Sequence, residues 1–423
     1  MQLALDHPKL ISLAAGFTDS ETLPVEDVRE LMTDILRSRE TGLPALQYGS
    51  TQGDPRLRQL TARRLRRLDG VPVSQRSLSS DRMIITNGSQ QLLYMTMEAS
   101  CDAGDIVLVE DPTYFVFLGI LQSRGLRARG VRMEHDGLDL GQLEKVLKEL
   151  KKSGGISRLK ALYLVSYFQN PTGITTGFEK KRRALALLRN YERAAGHPIY
   201  LLEDAAYREL RFRGKEVPSA LADRRHADRV VYAGTYSKPF ATGTRVGFGI
   251  LPERLFTAVL RIKANHDFGT SNLLQQLVAQ ALASGRYETH LRRLRQRYAR
   301  KARVMSNALK QHFPREINWQ EPEGGLYVWA RLPRVTGSGT KSGLFQAALR
   351  KNILYVPGQL CYADDATRSK PDHEMRLSFG SARENDIREG IRRLGSVLAK
   401  RMVRTSHFPV YPGGQVIWRP PRM

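Results

Sequence analysis

Short apolar runs separated by amphipathic stretches recur between residues 83 and 250, and this rhythm restricts the possible folds more than any other feature of the chain. The runs are Met83–Thr86, Ile106–Val109, Ala161–Val165, Ile199–Glu203, Val230–Gly234 and Val246–Ile250, most of them bounded by Gly, Asp, Asn or Pro. Each is strand-length. The stretches Gln90–Ser100, Leu140–Lys152 and Glu179–Ala195 place apolar residues at helical spacing instead. Strand and helix in alternation predict a mostly parallel sheet covered by helices on both faces, a three-layer α/β/α arrangement.

After Ile250 the rhythm changes. Helical periodicity dominates from Glu253 to about Phe313, and a strand-like Gly325–Ala330 follows. A helix near Leu344–Asn352, strand candidates Ile353–Pro357 and Met375–Phe379, and a helix near Glu384–Lys400 complete the pattern, with Arg368–His373 as a loop. A single core stops growing at about 250–300 residues, and the chain has 423. We therefore expect an α/β fold with a large domain over 45–265, a smaller α+β domain from 1–44 and 266–400, and a turn-rich tail over 401–423. There is no internal repeat.

The formal net charge is +25, concentrated in clusters such as Arg63-Arg64-Leu65-Arg66-Arg67, Lys180-Lys181-Arg182-Arg183 and Arg292–Arg300. Such a field could attract nucleic acid or anionic substrates. Leu and Ala interleave the charges at helical spacing, so we read the clusters as solvated helix faces and expect no nucleic-acid partner. The two cysteines, Cys101 and Cys361, provide no disulfide framework and no metal-ligand spacing. The start lacks a basic segment followed by an apolar one, and no apolar run approaches the ~20 residues that span a bilayer. A cytoplasmic protein with no membrane partner is the expectation.

The most informative stretch is Gly234-Thr235-Tyr236-Ser237-Lys238, followed by Gly243-Thr244-Arg245-Val246-Gly247. An apolar strand ends in two hydroxyls, one lysine and one arginine. Lys238 can form an imine with an aldehyde if desolvation or nearby positive charge lowers its pKa. Thr235, Ser237 and Arg245 suit a phosphate, the arginine with its two-pronged donor geometry. Four other strands also end in polar motifs. Thr86-Asn87-Gly88-Ser89-Gln90 opens a helix, whose free N–H groups suit an anion. Glu110-Asp111-Pro112-Thr113-Tyr114 presents an aromatic ring, Asn170-Pro171-Thr172-Gly173 an amide, and Glu203-Asp204-Ala205-Ala206-Tyr207 a carboxylate and a phenol. Singly, these are an N-cap, a packed loop aromatic, a turn and a salt-bridge carboxylate. Together they converge, because ligands of open α/β sheets bind at the carboxyl ends of the strands.

The lysine segment, with Arg245 seven positions after Lys238, resembles the pyridoxal-phosphate lysine motif of class I/II aminotransferases of fold type I. It is most similar to the subgroup of 2-aminoadipate, kynurenine and aromatic aminotransferases, which includes the catalytic domains of MocR-type regulators. The resemblance runs from about Leu13 to Phe379. It implies a pyridoxal 5′-phosphate cofactor joined to Lys238, with its phosphate held by Ser89, Gln90, Thr235, Ser237 and Arg245. It also implies that Tyr114 stacks on the pyridine, that Asn170 and Tyr207 meet the 3′-oxygen, and that Asp204 meets the ring nitrogen. Tyr48, in Gln47-Tyr48-Gly49, would reach the phosphate across a homodimer interface. Arg376 would grip the substrate α-carboxylate, beside Asn170, and Gly16 would line the substrate entrance. Glu203 receives no catalytic role, and Glu323–Trp329 is read as structural.

The implied activity is transamination between an L-amino acid and a 2-oxoacid. The same residues could serve another pyridoxal-phosphate reaction, such as that of a C–S lyase, a cyclase or an oxidative enzyme. A cofactor-sensing DNA-binding regulator is a further alternative. It is disfavoured because the resemblance begins near residue 13, leaving no room upstream for a winged helix-turn-helix.

Overall fold

The computed structural model describes residues 10–334 and 336–405. Its strands are β1 (Ile11–Ser12), β2 (Met83–Asn87), β3 (Ile106–Asp111), β4 (Arg127–Glu134), β5 (Gly137–Leu138), β6 (Leu159–Val165), β7 (Tyr200–Asp204), β8 (Val230–Thr235), β9 (Val246–Ile250), β10 (Tyr327–Arg331), β11 (Ile353–Leu354), β12 (Val356–Pro357) and β13 (Glu374–Ser378). All six expected strands of the first 250 residues form, shifted by a residue or two at some ends.

Eight strands make one sheet in the order β2-β9-β8-β7-β6-β3-β4-β5. The pairs β3–β4, β3–β6, β6–β7 and β7–β8 are parallel. Strand β9 is antiparallel to both β2 and β8, so β2 runs in the same sense as β8. Six strands, β2, β3, β4, β6, β7 and β8, thus run in one sense, and five of them, all but β4, end in the polar motifs. Chain order reverses between β3 and β6, and that reversal opens a crevice at the strand ends. The sheet is mostly parallel, as expected.

Strand β4 was not legible in the sequence. It alternates charged and apolar residues (Arg127-Ala128-Arg129-Gly130-Val131-Arg132-Met133-Glu134) and lies near the sheet edge, with several side chains open to solvent. Its pairing with β3 and the short β5, not its own composition, makes it a strand.

The helices follow their local codes. Helix Leu140–Lys152 starts where the Asp139 carboxylate accepts from Gln142 N at 3.0 Å. It buries Leu140, Leu143, Val146, Leu147 and Leu150, one stripe at helical spacing, while its lysines stay in water. Truncating the fully buried Leu147 to Ala would cost about 2–5 kcal/mol. Helix Pro55–Asp69 has the Asp54 carboxylate as cap, proline in its first turn and left-handed Gly70 at its end.

The later part of the chain forms an antiparallel sheet, β10-β13-β12. The N-terminal segment joins it: β1 pairs in parallel with β11, and Ser378 N donates to Leu13 O at 2.7 Å. The last helix runs Glu384–Thr405, past the expected end near Lys400. The rest of the expected tail lies outside the described residues.

One expectation about charge needs correction. Two members of the basic clusters are buried rather than solvated. The Arg64 guanidinium, on the inner face of its helix, pairs with Glu209 at 2.7 Å and with Glu288. Lys181 pairs with Glu203 at 2.9 Å, both side chains fully buried. A helical cluster presents some members inward, and these two meet carboxylates there. Glu203 also accepts from Ala220 N at 2.7 Å, which agrees with a structural role.

Candidate active site

The motifs at the five strand ends converge on the crevice. Lys238 follows β8, and its ammonium donates to the Gly16 carbonyl at 2.7 Å. Burial, opposed by Tyr327 and assisted by Arg245 and Arg376, lowers its pKa. A lysine held in this way reaches its neutral, nucleophilic form more readily than one in water.

Asp204, the last residue of β7, is 3% exposed. Its carboxylate accepts from the Tyr163 hydroxyl at 2.9 Å and from Ala206 N at 3.0 Å. Burial pushes its pKa up to about 6. Among the described residues no cation pairs with it. Tyr163 was not anticipated: it sits inside the apolar run of β6, where nothing distinguishes it from a core tyrosine.

Arg376 occupies the middle of β13, opposite Trp329 and Val356. One guanidinium nitrogen donates to Asn170 Oδ1 at 2.6 Å and another to Ala14 O at 2.6 Å, while Nε has no partner. The guanidinium also lies over the Tyr327 ring, 4.3 Å from its centroid. Arg376 and Asn170 are both buried, and no carboxylate neutralises the arginine among the described residues.

Arg245 is left-handed, φ +52°, and donates to Ser237 Oγ at 3.3 Å. It too lacks a carboxylate among the described residues. Gly88 makes room for it: a Cβ there would lie 2.6 Å from Arg245 Nη2, and φ at Gly88 is +74°. Ser89 begins the helix Ser89–Ser100 immediately after that turn, with Gln90 exposed beside it. Thr235 Oγ1 accepts from Ser237 N at 3.1 Å, which braces the turn before the lysine.

Tyr207 is buried, and its hydroxyl meets that of Tyr327 at 3.1 Å. Tyr114 precedes the helix Phe115–Ser123, and burial, with the charge of Asp204 second, raises its pKa. Tyr48 stands apart from these residues, 82% exposed, with its ring edge-on to Phe268 at 5.3 Å. Printed contacts aside from this one join Lys238 to Gly16, Arg376 to Asn170, Arg245 to Ser237 and Tyr207 to Tyr327, whereas Gln90 is exposed on the first turn of its helix.

Among the described residues the crevice therefore holds three cations without carboxylate partners, and with them the buried carboxylate of Asp204, which has no cation. A ligand that completes it carries two separated anionic groups, one protonated nitrogen and an electrophile within reach of Lys238. Pyridoxal 5′-phosphate and an amino-acid carboxylate meet this description. The Arg245 guanidinium, seated against Gly88, and the buried carboxylate of Asp204 fit the cofactor's phosphate and ring nitrogen.

Residues 8–394 match the family Aminotransferase class I and II. The aromatic-amino-acid aminotransferase 1 of Thermococcus litoralis is 33% identical over 394 residues, 93% of this chain and 89% of that one. The 2-aminoadipate transaminase of Thermus thermophilus is 33% identical over 93% of this chain and 91% of its own. The structure of Pyrococcus horikoshii kynurenine aminotransferase superposes with a TM-score of 0.85, at 30% identity, covering 95% of this chain and 93% of that one. The chain belongs to the class I and II aminotransferases. It is a pyridoxal-phosphate-dependent enzyme of fold type I that transfers an amino group between an amino acid and a 2-oxoacid.

Proposed function

We propose that Lys238 is the cofactor lysine and the proton carrier of this transaminase, and that Arg376 selects substrates bearing an α-carboxylate. One observation carries the reading: Lys238 stands among Arg245, Arg376 and the Gly16 carbonyl, in the same crevice as Asp204, a buried carboxylate without a cation.

When bound, pyridoxal phosphate supplies an electrophilic carbon and a conjugated ring that accepts the electron pair left by a departing Cα proton. The remaining work belongs to the chain. Arg245, Ser89, Gln90, Thr235 and Ser237 hold the phosphate, and Tyr48 reaches it from a second subunit. Asp204, oriented by Tyr163, would bind the ring nitrogen and keep it protonated. Asn170 and Tyr207 would donate to the 3′-oxygen, and Tyr114 would lie along the ring face. Arg376 turns the substrate so that its Cα proton faces Lys238. With the cofactor in place, Lys238 Nζ would take that proton and later give it up, acting as base and then as acid. Gly16 forms part of the wall at the entrance.

A homodimer completes the site. Leu43, Leu46, Tyr48 and Phe268 are large apolar side chains left more than half exposed by the single chain. Exposed apolar side chains of this kind, with the Tyr48 and Phe268 rings packed together, support a subunit contact. Among the described residues no helix is long and apolar enough to cross a membrane, and we place the enzyme in the cytoplasm.

The relatives named for aromatic amino acids, 2-aminoadipate and kynurenine differ in their donor, so the donor of this chain requires assay. Purified protein given a panel of amino acids with 2-oxoglutarate or pyruvate forms the matching 2-oxoacid and a new amino acid. Release of ammonia without need of a 2-oxoacid acceptor would overturn the assignment in favour of a lyase.

A further inference from the structure

Tyr327 lies on β10, in the segment expected to be structural, yet its hydroxyl reaches into the crevice. The strand register explains how. Tyr327 pairs with Ser378 and Trp329 with Arg376. Alternate residues of a strand share a face, so Tyr327 and Trp329 point the same way, and the Arg376 guanidinium comes to lie over the Tyr327 ring. The Tyr327 hydroxyl is 3.1 Å from that of Tyr207, their rings edge-on at 5.6 Å. It also occupies the space a Cβ on Gly16 would need, 2.8 Å away, and Gly16 supplies the carbonyl that holds Lys238.

A tyrosine hydroxyl has one proton to donate. If Tyr207 spends it on the cofactor's 3′-oxygen, the Tyr207 oxygen is left as an acceptor, and the Tyr327 hydroxyl is the donor beside it. The Arg376 cation over the Tyr327 ring draws electron density from it, which favours donation. Hydrogen bonds in such a chain strengthen one another. The titratable and charged groups facing Tyr327 are Tyr114, Tyr207, Tyr298, Lys238 and Arg376.

We propose that Tyr327 is a positioning residue that donates to the Tyr207 hydroxyl and so orients it toward the cofactor's 3′-oxygen. This rests on the aminotransferase reading of the crevice and adds to it a residue that acts through Tyr207. A phenylalanine would fill the same space without the relay.

The test reads the holoenzyme's absorbance, not its turnover. A hydrogen bond to the 3′-oxygen withdraws electron density and makes the nitrogen joining Lys238 to the cofactor less basic, so weakening that bond moves the pH midpoint of the absorbance change upward. Tyr327→Phe raises the midpoint by about a tenth to a third of the shift caused by Tyr207→Phe. In the Tyr207→Phe background the second substitution adds nothing. Gly16→Ala, whose methyl must displace the Tyr327 hydroxyl, raises the midpoint in the parent enzyme but not in Tyr327→Phe, where the methyl has room. An unchanged midpoint in Tyr327→Phe, or an equal shift with and without Tyr207, overturns the relay. A chain that acquires no cofactor absorbance at all would instead overturn the role given to Lys238.

Discussion

The Lys238 ammonium donates to the carbonyl of Gly16, a residue 222 positions earlier in the chain, at 2.7 Å. The amine is thereby held toward the N-terminal segment, which also supplies Ala14 O to Arg376 at 2.6 Å. One short segment positions both the reactive amine and the arginine expected to bind substrate.

Removing the amine separates binding from chemistry. Lys238→Ala should lose the pH-dependent cofactor absorbance and lower turnover at least about 100- to 10,000-fold, the usual span for a proton-transfer group. Added small amines should restore part of the rate. Rapid-scan absorbance with an amino-acid donor checks this, and transamination at the parent rate would contradict it.

Asp204 makes the cofactor-free protein sensitive to pH. Its folded pKa of about 6 lies above the ordinary 3.8. Below both values the carboxyl is neutral in the folded and the unfolded chain, and it contributes no difference. As pH rises from about 4 to about 6 the unfolded chain releases this proton more easily, so stability is lost, by roughly 3 kcal/mol at neutral pH. Asp204→Asn should remove that loss. Urea unfolding of the cofactor-free proteins should show the variant gaining on the parent between pH 4 and 7. Parallel profiles would show that the Asp204 carboxyl is not destabilised by its burial.

Arg376→Lys keeps the charge and loses the fork. A lysine cannot replace two parallel hydrogen bonds to a carboxylate. KM for the amino acid should rise roughly 10- to 100-fold, the worth of one charge-assisted hydrogen bond, with cofactor affinity unchanged. Half-reaction kinetics and a cofactor titration distinguish the two effects.

Gly88→Ala should act on the cofactor. The new Cβ would press on the Arg245 guanidinium at 2.6 Å from a residue with φ +74°. A backbone at φ +74° and ψ 165° costs a residue other than glycine about 1–3 kcal/mol, and cofactor affinity should fall at least about 10-fold once Arg245 is displaced. Fluorescence titration of the cofactor-free variant measures it.

Leu46→Asp should separate the subunits. Leu46 is 67% exposed in the single chain, two positions before Tyr48, whose ring meets Phe268. A buried unpaired charge at a subunit contact is costly. Light scattering should report a monomer with weakened cofactor affinity, because Tyr48 would no longer reach the second site.

The alternation of strand and helix was legible in the sequence because each element's pattern is local: apolar runs for buried strands, a 3.6-residue stripe for helices. The polar strand ends were legible for the same reason, since Lys238, Asp204, Asn170, Tyr114 and Ser89 each lie within five positions of the end of an apolar run. Strand β4 was not, because its partners rather than its composition make it a strand. Arg64 and Lys181 were misjudged because helical spacing does not say which face of a basic helix meets a carboxylate. Tyr163 and Tyr327 have hydroxyls whose partners lie on other elements, at Asp204 and Tyr207. Their chemistry depends on sheet register, which positions side chains far apart in the chain. Local periodicity therefore determined the layers and the loops, and only tertiary packing decided which hydroxyl, carbonyl and cation would meet inside the crevice.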